Sequence, residues 1–186
     1  MGQITFITGG ARSGKSKFAQ KLADDRAIDI AYVATAVETD MEMRARIEHH
    51  RASRPLDWQT YEYPYNLLDC FRNTHHQLYL VDCVTAYITN LLIRIMPESA
   101  EENIELDTIY NVESQIKQEM QEIAAFMRAD DAEYVVVSNE VGMGIVPEYV
   151  LSRVFRDISG RANQLFAEAA DEAYFIVSGI PMRIKP

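Results

Sequence analysis

Gly9, Gly10, Ala11, Arg12, Ser13, Gly14, Lys15 and Ser16 carry the spacing G-x-x-x-x-G-K-S, directly after the apolar run Ile4, Thr5, Phe6, Ile7. Glycines at these places let the backbone curl until successive N–H groups converge on one point, where nucleotide phosphates bind. A helix starting behind the loop turns its positive end toward the same anion. Lys15 then supplies a charge for the β- and γ-phosphates, and the Ser16 hydroxyl a ligand for Mg²⁺. Such chemistry needs a carboxylate at the C-terminal end of another strand, and Asp82 closes the run Leu78, Tyr79, Leu80, Val81. An aspartate ending a buried strand is commonplace by itself; beside a phosphate loop it reads as the residue that holds Mg²⁺, commonly through water. Among the 4 histidines, His49 and His50 fall in a helical pattern, whereas His75 and His76 lie in a polar connector and read as surface residues.

The elements that must position these groups follow from periodicity. Residues 16 to 25 read as a helix and Ile30 to Ala36 as a buried strand, which completes a βαβ unit. Asp40 to Arg51 is helical, with Asp40 able to cap its start, and i, i+4, i+7 spacing puts Met43, Ile47 and His50 on one face. Glu42, Arg46 and His49 take the polar side. Trp58 to Glu62 alternates as a short strand, Tyr65 to Arg72 and Val84 to Ile95 read as helices, and 97–107 as a solvated acidic connector. Ile109 to Met127 is a long amphipathic helix whose methionines serve packing. Glu133 to Ser138 is a strand that runs into a loop ending at Pro147, where Asn139 and Glu140 offer polar groups beside the phosphates. A helix marked by Phe155, Ile158, Ala162 and Leu165 follows, with Asn163 among its polar positions, and Asp171 to Ser178 is expected to be the last strand.

Composition narrows the class. The chain of 186 residues predicts a single α/β domain over 1–186, large enough to bury a sheet without disulfides or metal. Its formal charge of −10 argues against a nucleic-acid surface and favours small-molecule chemistry. Cys70 and Cys83 lack metal spacing and read as reduced core thiols. With no basic n-region, no cleavage site and no apolar run near about 18 residues, the expectation is a soluble cytoplasmic protein without a membrane span.

Over nearly its whole length the sequence resembles the bifunctional adenosylcobinamide kinase/adenosylcobinamide-phosphate guanylyltransferases of cobalamin biosynthesis. The resemblance rests on the phosphate loop, on Tyr32 to Ala36, and on Asp40 to Pro55 with Glu42, Met43, Arg46, Ile47, His50, Arg54 and Pro55. It continues through Trp58 to Thr60, Val81 to Cys83, Thr89 to Leu91, Ser138 to Pro147 and Phe155 to Gln164. The tyrosines at 61, 63 and 65 depart from the family pattern.

The resemblance implies a RecA-like, mostly parallel sheet flanked by helices, and two reactions. A nucleoside triphosphate, ATP or GTP, phosphorylates adenosylcobinamide; a histidine then takes GMP from GTP and passes it to adenosylcobinamide phosphate. Family spacing selects His50, with His49 as runner-up. Nucleotide contacts implied in the same way are Ala34, Thr35, Ala36, Arg51, Ala52, Ser53, Arg54 and Glu62, besides the loop and Asp82. A homotrimer with sites between subunits is also implied. The competing readings are a phosphate-loop kinase of another small molecule and a non-enzymatic nucleotide-binding regulator.

Overall fold

The computed structural model describes residues 2–27, 29–52, 54–96 and 104–186. Seven strands form one sheet: β1 (Gln3–Gly9), β2 (Ile30–Ala34), β3 (Gln59–Glu62), β4 (Leu78–Asp82), β5 (Glu133–Val137), β6 (Glu172–Val177) and β7 (Ile180–Lys185). Their spatial order is β3-β2-β4-β5-β1-β6-β7, parallel throughout except for the final antiparallel pair. Helices α1 (Lys15–Arg26), α2 (Met41–Ala52), α3 (Leu67–Asn73), α4 (Val84–Ile95), α5 (Leu106–Ala129) and α6 (Val150–Ala169) make the crossovers. Parallel strands need such long connections, and those connections cover both faces of the sheet.

Alternation along each strand sorts the core into two layers. Ile7, Ile30, Tyr32, Leu78, Leu80, Val135 and Val137 face Ala19 and Ala23 of α1, and Trp58 joins them. Ile4, Phe6, Val33, Tyr79, Val81, Tyr134 and Val136 face the opposite way, against α3, α4, α5 and α6. Trp58 is thus a buried plug before β3 rather than part of an alternating strand. The methionines Met120 and Met127 are packed in the core as expected.

Three expectations change. The connector at 97–107 lies outside the described residues from 97 to 103, and α5 already begins at Leu106. Asn163 is buried: its Oδ1 accepts from the Ser138 hydroxyl at 2.6 Å and its Nδ2 donates to the Asn139 carbonyl at 3.0 Å. A helix position polar in type is here a clamp on the end of β5.

The third change is at the C-terminal end, where Asp171 to Ser178 is not the last strand. Val177 pairs with Ile180 across a two-residue turn in which Ser178 (φ 50°) and Gly179 (φ 83°) are both left-handed, the type I′ geometry that suits strand twist. Pro181 sits on the resulting edge strand, where a missing N–H is tolerated. The turn also supports the phosphate loop, because the Gly179 N–H donates to the Ser13 carbonyl at 2.8 Å. A Cβ at 179 meets nothing within 4 Å, so Gly179→Ala is expected to lower stability through backbone strain alone. The loss should be ~1 kcal/mol, read as a fall in the urea midpoint with an unchanged slope.

Candidate active site

The phosphate loop joins β1 to α1 at the C-terminal edge of the sheet, where ligands of open α/β sheets bind. Gly14 caps α1 at φ 97°, a conformation an L side chain rarely takes, and this brings Lys15 into the first helical turn. Lys15 is 7% exposed and its Nζ donates to the Gly10 carbonyl at 2.7 Å. Burial pushes the lysine pKa down, while Cys83 and Asp82 act the other way. Ser13 Oγ and Thr8 Oγ1 are buried beside the loop with no hydrogen-bond partner among the described residues.

Asp82 stands at the end of β4, in register with Ala34 of β2. Tyr32 donates its hydroxyl to Asp82 Oδ2 at 2.7 Å. Burial and then the neighbouring carboxylate push the Tyr32 pKa up, so the phenol keeps its proton and remains a donor. Cys83 is likewise pushed up by burial, which keeps it a thiol rather than a nucleophile. For Mg²⁺ the donor set is suitable in kind, because the Ser16 hydroxyl and the Asp82 carboxylate are hard oxygen donors, with phosphate oxygens and water available for the rest. Among the described residues no three His, Cys, Asp or Glu side chains form a metal cluster.

The remaining candidates divide. Thr35 is fully buried: its hydroxyl donates to the Cys83 carbonyl at 2.7 Å and accepts the Cys83 N–H at 2.8 Å. Ala34 and Ala36, on either side of it, are half-buried. Asn139, expected beside the phosphates, turns its amide to Thr85 Oγ1 at 2.6 Å, while the Glu140 N–H donates to the Gly9 carbonyl at 2.9 Å. Glu140 thus braces the phosphate loop, and Asn139 ties the end of β5 to α4.

On α2, Asp40 Oδ1 accepts the Met43 N–H at 2.7 Å, the anticipated cap. The helix has no fully buried residue, and Met43, Ile47 and His50 are its half-buried face, with His49 exposed. Arg51 pairs with Glu62 at the end of β3, joining two residues that the resemblance alone had associated. Ala52 ends the helix exposed, and Ser53 lies outside the described residues. Arg54 then stacks its guanidinium 3.9 Å from the centre of the Tyr32 ring.

His76 contradicts its surface assignment. Its side chain is 6% exposed, with Nδ1 2.7 Å from Asp29 Oδ1 and Nε2 3.0 Å from the Tyr61 hydroxyl. It ties the start of β2 to the edge strand β3. His75 is exposed as expected.

A parallel sheet, a phosphate loop with a buried lysine and an aspartate ending a strand two places away in the sheet define a phosphate-loop nucleotide-binding protein. The fold agrees with a solved ATPase of a bacterial type III secretion system, with a TM-score of 0.52 and 13% identity over 94% of this chain and 51% of that one. Residues 5–184 match the family described as cobinamide kinase / cobinamide phosphate guanyltransferase, and the chain belongs to it. The bifunctional adenosylcobalamin biosynthesis protein CobU of Escherichia coli K12 is 42% identical over 98% of this chain and 99% of its own length. CobU of Salmonella typhimurium is also 42% identical, and CobP of Pseudomonas aeruginosa is 37% identical over 96% of this chain and 95% of its own.

The state of Lys15 gives a stability test. Since burial lowers its pKa, the unfolded chain holds the proton more tightly than the folded one. The destabilisation is therefore complete at neutral pH and is relieved as pH rises through the folded pKa toward the ordinary lysine value. Lys15→Met should raise the Tm of the nucleotide-free protein near neutral pH, with the difference shrinking in alkaline buffer. A variant less stable than wild type at neutral pH would contradict this account.

Proposed function

We propose that the protein phosphorylates adenosylcobinamide with a nucleoside triphosphate and then guanylylates adenosylcobinamide phosphate from GTP. The end-to-end match to bifunctional relatives carries this reading. In the kinase step the acceptor hydroxyl attacks the γ-phosphorus, the bond to the β-γ bridging oxygen breaks, and the nucleoside diphosphate leaves. The loop amides and Lys15 orient the chain of phosphates and offset the charge that gathers on the transferring group. Mg²⁺, held by Ser16 and Asp82, supplies further charge neutralisation when bound.

The second reaction uses a nucleophile from the protein. A ring nitrogen of His50 attacks the α-phosphorus of GTP as the bond to pyrophosphate breaks, and GMP remains as a phosphoramidate. An oxygen of adenosylcobinamide phosphate then attacks the same phosphorus and the N–P bond breaks, giving adenosylcobinamide-GDP and free imidazole. An imidazole ring nitrogen suits this, being nucleophilic without a separate base. Arg51, Ala52, Ser53 and Arg54, with Ala34, Thr35, Ala36 and Glu62, form the surroundings of the nucleotide in this reading. We further infer a cytoplasmic homotrimer. Its burial of apolar surface is supported by Met143, Ile145, Val146 and Tyr149, and by Ile180, Met182 and Ile184 of β7, all exposed. Among the described residues no helix is long and apolar enough to cross a membrane.

His50→Ala should lose the GMP adduct and guanylyl transfer yet retain phosphorylation of adenosylcobinamide, as read by mass spectrometry after incubation with GTP. His49→Ala, exposed on the other side of α2, should keep both. GMP kept in His50→Ala but lost in His49→Ala would move the nucleophile; GMP kept in both would remove the histidine route. Lys15→Ala should slow kinase turnover by ~10²-fold or more, and a wild-type rate would refute the phosphate-loop assignment.

A further inference from the structure

One buried side chain touches two parts of the nucleotide site that lie far apart in sequence. Tyr32 is 2% exposed and lies on the α1 side of the sheet, two residues before Ala34. Because Ala34 is in register with Asp82, Tyr32 and Asp82 share a face two residues apart along the strand direction, a rise of about 6.6 Å. A tyrosine is long enough to span that rise, and its hydroxyl reaches Asp82 Oδ2 at 2.7 Å. Phenylalanine would fill the same volume but leave the carboxylate untouched.

The other contact is made by the ring. Arg54, two residues beyond α2, lies over it at 3.9 Å. The Arg54 Nε and Nη1 are buried and have no hydrogen-bond partner among the described residues. Desolvated guanidinium donors without acceptors are costly, and a planar fork of N–H groups matches the oxygens of a phosphate. Stacking on an aromatic face keeps that fork in place before the acceptor arrives.

We propose that Tyr32 is a positioning residue for nucleotide binding: its hydroxyl sets the orientation of the Asp82 carboxylate toward Mg²⁺, and its ring seats Arg54 for contact with a phosphate of the nucleotide. The inference rests on the reading of Asp82 as the metal carboxylate. A hydrogen bond to a ligating carboxylate typically changes metal affinity by 10–100-fold. The ring and the hydroxyl therefore have separable effects.

Calorimetric binding of a β,γ-imido analogue of GTP, with Mg²⁺ and with chelator, separates them without relying on turnover. Tyr32→Phe keeps the ring, so its metal-free affinity should stay within about twofold of wild type while its Mg²⁺ requirement rises about tenfold. Tyr32→Leu should show that metal defect and also weaken metal-free binding, as Arg54→Ala does alone. Asp82→Asn is the control for the underlying reading. If Asp82→Asn loses the Mg²⁺ enhancement but Tyr32→Phe titrates like wild type, the role of the hydroxyl is overturned and Asp82 stands. If Asp82→Asn keeps the full enhancement, the assignment of Asp82 falls and the inference with it. A folded Tyr32→Leu with wild-type metal-free affinity would remove Arg54 from its seat.

Discussion

The site depends on how the phosphate loop is held from outside its amides. Its carbonyl oxygens take the structural bonds: Gly9 accepts from Glu140, Gly10 from Ser13 and Lys15, Ser13 from Gly179, and Gly14 from Phe18. The Gly10 and Gly14 carbonyls are bound within the loop and its helix, while those of Gly9 and Ser13 are pinned from outside, which fixes the curl of the backbone at two points. Two of those bonds come from chain segments that follow β5 and β6. The phosphate loop is consequently local in sequence but not in the forces that shape it.

That distinction governs what could be read without coordinates. The loop, its strand and its helix were legible because glycine spacing and apolar periodicity act over a dozen neighbouring residues. The apolar runs of β2, β4 and β5 were legible for the same reason, and so was the half-buried face of α2. β7 is hard to read although Ser178 and Gly179 are a serviceable I′ pair and Ile180, Met182 and Ile184 alternate with Pro181, Arg183 and Lys185, because a proline inside a short run argues against a strand. His76 was misjudged because its burial is created by Asp29 and Tyr61, 47 and 15 residues away. Tyr32 shows the same limit more sharply: its bond to Asp82 follows from the register between β2 and β4, which no single segment encodes.

The helix that carries His50 contrasts with the rest of the framework. The ion pairs within it, Arg44 with Glu48 and Arg46 with Glu42, are exposed pairs one turn apart and contribute little. No residue of α2 is fully buried, so the helix is joined to the sheet chiefly through its C-terminal end, by Arg51 on Glu62 and the nearby Arg54 on Tyr32. Elements with few buried apolar contacts occupy the low-stability end of a fold. α1, by contrast, buries Ala19 and Ala23 against the sheet.

The position of β5 between β1 and β4 has an electrostatic consequence. Lys15 follows the first of these strands and Asp82 ends the other, and two strand spacings put their backbones on the order of 10 Å apart. No ion pair joins them, and the ammonium is satisfied by the Gly10 carbonyl instead. The two poles still feel one another, since burial lowers the Lys15 pKa and Asp82 pulls it back up, but the intervening strand keeps them out of direct contact and both stay available to whatever bridges the gap.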